Sequence, residues 1–172
     1  MNGRHLAAAA ALGLLAAGCA SLFTRPPAPE PSAREGWVGY RVEGLRVEAP
    51  AAWQASGSPR SLRLDEPGGR ARLTVSVRDE VLADARACLA EGEDALRRGE
   101  VGLTRVRRHP SKLAGLPAVA QEADQGVWHG WAFAACDGGV SYRIFFTALI
   151  TAPPEVLEVY RALLAAASLD RS

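Results

Sequence analysis

Residues 140–151 read VSYRIFFTALIT, and this stretch decides the fold class of the chain. Apolar side chains occur on both faces of the extended segment, which is typical of a central strand covered from two sides. Further strand candidates precede it at 101–109, 116–124 and 127–136. The joints Gln125-Gly126 and Asp137-Gly138-Gly139 have the composition of tight turns, so these segments are predicted to pair as antiparallel hairpins.

The first half of the same domain predicts a meander of shorter strands. Residues 71–78 alternate apolar and polar side chains, as in an antiparallel strand with one buried face. Residues 61–65 precede that strand across a glycine-rich turn. Residues 40–50 are interpreted as an earlier strand, interrupted at Gly44 by a bulge or bend.

Two segments have the period of a helix. One helix is predicted from apolar residues at helical spacing, which begin at Val81 and Leu82 and include Cys88, and this helix is predicted to end at Gly99. Because Cys88 lies on the apolar stripe, it is expected to point at the sheet. A second helix is predicted at 155–168, after a pair of prolines. The order of strands, helix, strands and helix indicates an α+β fold, an antiparallel β-sheet packed by two main helices, and excludes a doubly wound parallel sheet.

Residues 1–19 read MNGRHLAAAAALGLLAAGC and have the composition of an export signal. The apolar stretch is about 12 residues long, short of the roughly 20 that a membrane-spanning helix needs. Its end, LAAGC, resembles the lipobox of bacterial lipoproteins. That resemblance implies a signal peptide over 1–18, acyl chains such as palmitate on Cys19, and a lipid-anchored place in the bacterial cell envelope. Ala20, where Asp would favour the inner membrane, favours an outer-membrane anchor facing the periplasm.

The segment after the signal differs in composition from the rest of the chain. Residues 19–36 contain four prolines and no periodic apolar face, so they are predicted to be the lipidated cysteine and a proline-rich tether. Residues 37–172 then form one domain, long enough for its own core. With Cys19 lipidated, Cys88 and Cys136 remain as an even pair in an oxidising compartment, where a disulfide is predicted; two separate buried thiols are the alternative.

Charge and motif content exclude several function classes. The chain has 20 Lys and Arg residues against 19 Asp and Glu residues and is 48% hydrophobic, unlike disordered chains or nucleic-acid binders that rely on bulk basic charge. His109 and His129 have no metal-ligand spacing around them, and no nucleophile motif is present. No catalytic residue, metal or cofactor is therefore predicted, and the chain is not expected to be an enzyme.

Two residue clusters are candidate contact surfaces. Arg105, Arg107, Arg108 and Lys112 form a basic cluster that suits anionic headgroups or cell-wall carboxylates, although a solvated edge strand explains it as well. Four aromatic residues lie on adjacent strand candidates and are interpreted as core, or alternatively as the lining of an apolar groove for a lipid or peptide. These four are Trp128, Trp131, Phe133 and Tyr142.

A weaker resemblance extends over residues 40–169. Its element order and scattered apolar and glycine positions are similar to PsbP-like domains, among them the DcrB-like envelope lipoproteins. The stretches that carry it are Leu45, Val47, Pro50 and Trp53, then KLAGLPA at 112–118, YRIFF at 142–146 and ASL at 167–169. The resemblance implies an α/β/α sandwich that serves as a binding or assembly module, without a catalytic motif common to the family.

The function expected from these observations is that of a membrane-anchored envelope lipoprotein. It would act as a non-catalytic module that binds or assembles an envelope protein partner, which the sequence does not identify. The alternative is a lipoprotein that binds a lipid or small ligand in an apolar pocket between sheet and helix, and a cell-wall hydrolase comes third. No nucleic-acid partner is expected.

Overall fold

The computed structural model describes residues 25–82 and 84–170, in which eleven strands and two helices are present. In chain order these are β1 (Glu30–Pro31), β2 (Trp37–Val42), β3 (Leu45–Pro50), β4 (Gln54–Ser58), β5 (Ser61–Asp65), β6 (Ala71–Asp79), α1 (Ala85–Arg98), β7 (Thr104–Leu113), β8 (Leu116–Gln125), β9 (Trp128–Asp137), β10 (Val140–Leu149), α2 (Pro154–Ala166) and β11 (Ser168–Leu169). A large antiparallel sheet has the strand order β4-β5-β6-β10-β9-β8-β7, and a small one has the order β1-β2-β3-β11. The predicted α+β class is confirmed.

Strand β10 lies at the centre of the large sheet, between β6 and β9, as its sequence predicts. Ile144 is opposite Val75 on one side and Phe133 on the other, and all three are buried. The cover on the two faces is unequal, however. Phe146 on one face is fully buried, whereas Phe145 on the other is 40% exposed, so the second face is only partly covered.

Helix α1 covers part of that second face. The Asp84 carboxylate caps its N-terminus by accepting a hydrogen bond of 2.8 Å from the Ala87 amide, and Gly99 ends the helix. Cys88, Gly92 and Leu96 are the buried residues of the helix, which packs mainly against β9. Val81 and Leu82, predicted on the apolar stripe, are exposed and precede the helix, because the capped turn begins after them. The position of that first turn was therefore predicted wrongly.

The other face of the large sheet packs against α2 and the small sheet. This layer contains most of the core, with α2 contributing Val156 and Leu163. Residues 40–50 are two strands of a hairpin in the small sheet and not one bulged strand. Glu43 and Gly44 have positive φ angles of 46° and 83° and form the two-residue turn, a conformation that Glu rarely adopts.

Part of the proline-rich segment is built into the domain. Glu30 and Pro31 form β1, and the Glu30 carboxylate accepts hydrogen bonds of 3.1 and 3.2 Å from Arg41. Ordered structure therefore extends into the stretch that composition assigns to the tether. The signal segment and Cys19 lie outside the described residues. Within the described ranges, neither helix has the length and apolarity needed to cross a bilayer.

Strand β7 forms one edge of the large sheet. It contains Pro110 within the ladder, and its register shifts between Thr104 and Arg107. Arg105 lies in this bulge with a φ of 53°. Proline and bulges are typical of edge strands, because a proline at an edge leaves no ladder hydrogen bond unmade.

Candidate functional site

An apolar groove lies on the second face of the large sheet, where α1 ends. The helix runs along β9, with the disulfide between Cys88 and Cys136 near its start, Gly92 on Ala134, and Leu96 packed with Ala132 and Ala134 near its end. Because α1 stops at Gly99, the remainder of β9 stays uncovered on this side. The disulfide confirms the predicted cysteine pair.

The groove has a volume of about 250 Å³. Small residues create the space, and aromatic residues form its walls. The lining includes Ala95 and Leu96 of α1, Ala123 of β8, Trp128 and Gly130 of β9, and Phe145 of β10. Phe145 is exposed there, and Trp128 is partly exposed.

Two further apolar residues are exposed outside the groove, one in the turn between β8 and β9 and one just after β10. Val127 is 65% exposed and Ile150 is 53% exposed. The Ile150 amide donates a hydrogen bond of 2.9 Å to the Val127 carbonyl, so the two side chains are held on adjacent strand ends. These two side chains form an exposed apolar rim at this end of the sheet. Contiguous apolar surface of this kind marks contact sites more often than isolated exposed residues do.

Polar side chains are few in the groove. Arg143 is only 16% exposed, and its Nε is buried without a hydrogen-bond partner within the described part of the chain. Its Nη2 lies 3.6 Å from Glu80 Oε1, which accepts a hydrogen bond of 2.9 Å from Ser141. Gln121 also lines the groove, and its amide oxygen accepts a hydrogen bond of 3.0 Å from Arg108.

A polar cluster surrounds His129 on the α2 side of the sheet. Its Nδ1 contacts the Asp124 carboxylate, and its Nε2 lies 2.9 Å from Glu122 Oε1. Arg105 pairs with Asp124, and Arg107 Nη2 lies 3.0 Å from Glu122 Oε2. Both ring nitrogens thus face carboxylates, and among residues 25–82 and 84–170 no hydroxyl or thiol is hydrogen-bonded to the ring. The geometry does not present His129 as a base to a nucleophile.

The surroundings of this cluster shift two pKa values. The hydrogen bond from His129, together with Arg105, holds the pKa of the Asp124 carboxyl below its usual range. Burial, with a smaller contribution from Glu122, raises the pKa of Tyr160. Trp131 lies between His129 and Tyr160. Its ring centroid is 4.2 Å from that of His129 and 4.6 Å from that of Tyr160, on which it stacks. These aromatic contacts join β9 to α2.

The predicted basic cluster carries less free charge than its sequence suggests. Lys112 is exposed on β7, but each of the three arginines pairs with a carboxylate. The pairs are Arg105–Asp124, Arg107–Glu122 and Arg108–Glu100. The cluster is therefore a row of cross-strand and loop ion pairs on the edge strand.

The predicted aromatic residues divide between the core and the groove. Phe133 and Tyr142 are buried in the core, Trp131 packs against α2, and Trp128 lines the groove. Sequence reasoning missed Phe145 and Arg143 as groove residues. The signal that could have found Phe145 is the apolar character of both faces of β10, which exceeds what a 14-residue helix on one face can cover.

Within the described ranges, no group of three or more His, Cys, Asp or Glu side chains is arranged to hold a metal ion. No protein-family profile and no curated protein matches the sequence. Solved structures do match in fold, at sequence identities too low to indicate function.

One similar structure is the solution structure of cyanobacterial PsbP (CyanoP) from Synechocystis sp. PCC 6803. It has a TM-score of 0.54 and 11% identity, over 82% of this chain and 96% of that protein. Another is a crystal structure from Bacteroides thetaiotaomicron VPI-5482, with a TM-score of 0.51 and 9% identity over 75% of this chain. The chain spans about half of that second protein, 46% of its length. Two helices on antiparallel sheets, arranged as in these neighbours, give the chain a PsbP-like fold.

Proposed function

We propose that this chain is a non-catalytic binding module, held at a bacterial envelope membrane by lipid on Cys19, with the groove beside α1 as its binding site. The groove carries this proposal because its lining is apolar and it lies open between helix and sheet. A site of this composition gains binding energy from burial of an apolar ligand and uses its few polar groups for orientation. The lipobox-like LAAGC at 15–19 supports the anchor.

A neutral apolar fluorophore tests the binding site. The full chain carrying Cys19→Ser, which removes the lipid attachment point, is titrated with N-phenyl-1-naphthylamine. We expect saturable 1:1 binding that Phe145→Glu abolishes, because a carboxylate replaces an apolar wall of the groove. Val101→Glu is the matched control, since Val101 is 89% exposed and does not line the groove. Equal binding by both variants, or no binding by the unmodified groove, contradicts the proposal.

Metabolic labelling with an alkyne-bearing palmitate tests the anchor. Cys19→Ser should abolish labelling and release the chain from membranes. A Cys88→Ser/Cys136→Ser double variant should remain labelled, because these cysteines are joined to each other. Labelling that persists in Cys19→Ser contradicts the lipid anchor.

The exposed rim supports a second role, contact with an envelope protein. Val127 and Ile150 offer apolar surface outside the groove itself. A photo-crosslinking residue at Val127, introduced in living cells, should yield one discrete protein adduct, while the same residue at Val81, exposed elsewhere, should yield none. Identical patterns at both positions contradict the assembly role.

A further inference from the structure

Arg143 occupies an unusual position for a cation. It lies on β10 opposite Ala134 of β9 and Ser76 of β6, on the face that α1 partly covers. Most of its side chain is buried along the groove, and its Nε has no acceptor within the described part of the chain. The side chain as a whole keeps 16% of its surface exposed and lines the groove, so an acceptor bound there can approach it through that exposed part.

The neighbouring carboxylate does not saturate this guanidinium. Glu80 Oε1 is 3.6 Å from Nη2, beyond hydrogen-bond length, and it is held by the Ser141 hydroxyl at 2.9 Å. A guanidinium has five N–H donors in a planar fork that matches a carboxylate in a bidentate fashion. Arg143 therefore retains donors for a second anion, in competition with Glu80.

The rest of the groove suits a hydrocarbon chain. From Arg143 the cavity follows β10 past Phe145 to Thr147, and follows β9 to Gly130 and Trp128. Arg143 and Thr147 are four residues apart on β10 and so about 13 Å apart, which is the length of a medium acyl chain. The volume of about 250 Å³ is small beside typical drug-sized sites, which start near 300 Å³. One chain fits such a space better than the two chains of a phospholipid.

We propose that the groove binds a single-chain fatty acid, with its carboxylate on Arg143 and its chain along β9 and β10 toward Trp128. This inference rests on the proposed function and names the ligand class of the same site. Charge complementarity favours an anionic head group. The Arg143 guanidinium would repel a cationic head group. A neutral alcohol would gain no ionic contact with Arg143 to compete with its pairing to Glu80.

Four probes with the same tail and different heads test this inference. The full chain carrying Cys19→Ser is titrated calorimetrically with decanoic acid, decyl phosphate, decanol and decyltrimethylammonium. Decanoate should bind 1:1 and at least about tenfold more tightly than decanol, as a charge-assisted hydrogen bond provides. The cationic probe should bind more weakly than decanol. Affinity that is independent of the head group overturns the inference, as does a cation that binds best.

Variants assign the head group to Arg143. Arg143→Met should weaken decanoate at least about tenfold and leave decanol within about twofold. Glu80→Gln removes the competing carboxylate and should raise the affinity for decanoate. Because this variant keeps Arg143, its result does not depend on whether Arg143→Met folds. Arg63→Met is the control, because Arg63 is exposed on the same sheet face, two strands from β10 and outside the groove. Unchanged decanoate affinity in both Arg143→Met and Glu80→Gln overturns the inference.

The outcomes separate this inference from the proposed function. If neither decanol nor the neutral fluorophore binds, the binding site itself is wrong. If the neutral probes bind in a manner sensitive to Phe145→Glu but decanoate has no advantage, the site stands and the fatty-acid assignment fails. Decyl phosphate binding more than about tenfold more tightly than decanoate replaces the carboxylate by a phosphate head and likewise overturns the assignment.

Discussion

A Cβ atom at Gly92 would lie 2.8 Å from the Cβ of Ala134, so α1 rests on β9 at a distance that only glycine permits. Gly92→Leu should therefore lift the helix and lower the free energy of unfolding by about 2 kcal/mol, within the range of overpacked cores. Urea unfolding measures the loss. Ala90→Leu, on the exposed side of the same helix, is the control and should change stability by less than about 0.5 kcal/mol. Equal stability of the two variants would show that the close contact is unimportant.

The disulfide between Cys88 and Cys136 should contribute strongly to stability. It joins residues separated by 48 positions, and the chain-entropy treatment gives about 4 kcal/mol for a loop of this size. Reduction with dithiothreitol should lower the urea midpoint by the corresponding amount. The Cys88→Ser/Cys136→Ser double variant should start at the lower midpoint and be indifferent to reductant. A midpoint that does not respond to reduction of the unmodified pair would contradict this expectation.

Stability at acid pH should depend on Asp124. Its folded-state pKa is lowered, so its contribution is fully present above the unfolded value of about 3.9 and is lost as pH falls through the lower folded value. Asp124→Asn should lower Tm at pH 7, and the difference from the unmodified chain should shrink as pH falls below about 4. Thermal unfolding followed by circular dichroism from pH 2 to 7 measures this. A difference that grows with acidity has the wrong sign and refutes the assignment.

The hairpin between β2 and β3 is strained at Glu43, whose φ is 46°. Asn tolerates this left-handed conformation, and Asn-Gly is a preferred pair for such turns. Glu43→Asn should therefore raise the free energy of unfolding by about 0.5–1 kcal/mol, despite the loss of a 3.7 Å contact with Arg60 between exposed side chains. Glu43→Gln loses the same contact without relief of strain and should not stabilise the domain. Chemical denaturation distinguishes the two.

Sequence reasoning predicted those elements whose signal is local and periodic. The central position of β10 and the pairing of Cys88 with Cys136 are examples. The first follows from apolar residues on two faces, and the second from the two cysteines that remain once Cys19 is assigned to the lipid. The turn between β2 and β3 was not predicted, because Glu rarely adopts a positive φ and Glu43 therefore gives no turn signal. The prediction that 40–50 form one strand followed from that missed turn.

The sequence predicted an apolar groove only as the alternative to a buried aromatic core. Phe145 has the same local pattern as the buried Phe146, and only the length and position of α1 leave it exposed. Arg143, in the same way, has the sequence appearance of a solvated strand residue. Its burial depends on neighbours that are distant in sequence, which periodicity does not report.

The edge strand β7 has a consequence for neighbouring copies of the chain. Pro110 has no amide proton to offer a further strand, and the bulge at Arg105 twists the ladder out of line. The charged side chains of Arg107 and Lys112 also lie on this edge strand. Where copies of this domain meet at high local concentration, strand addition along β7 is therefore disfavoured.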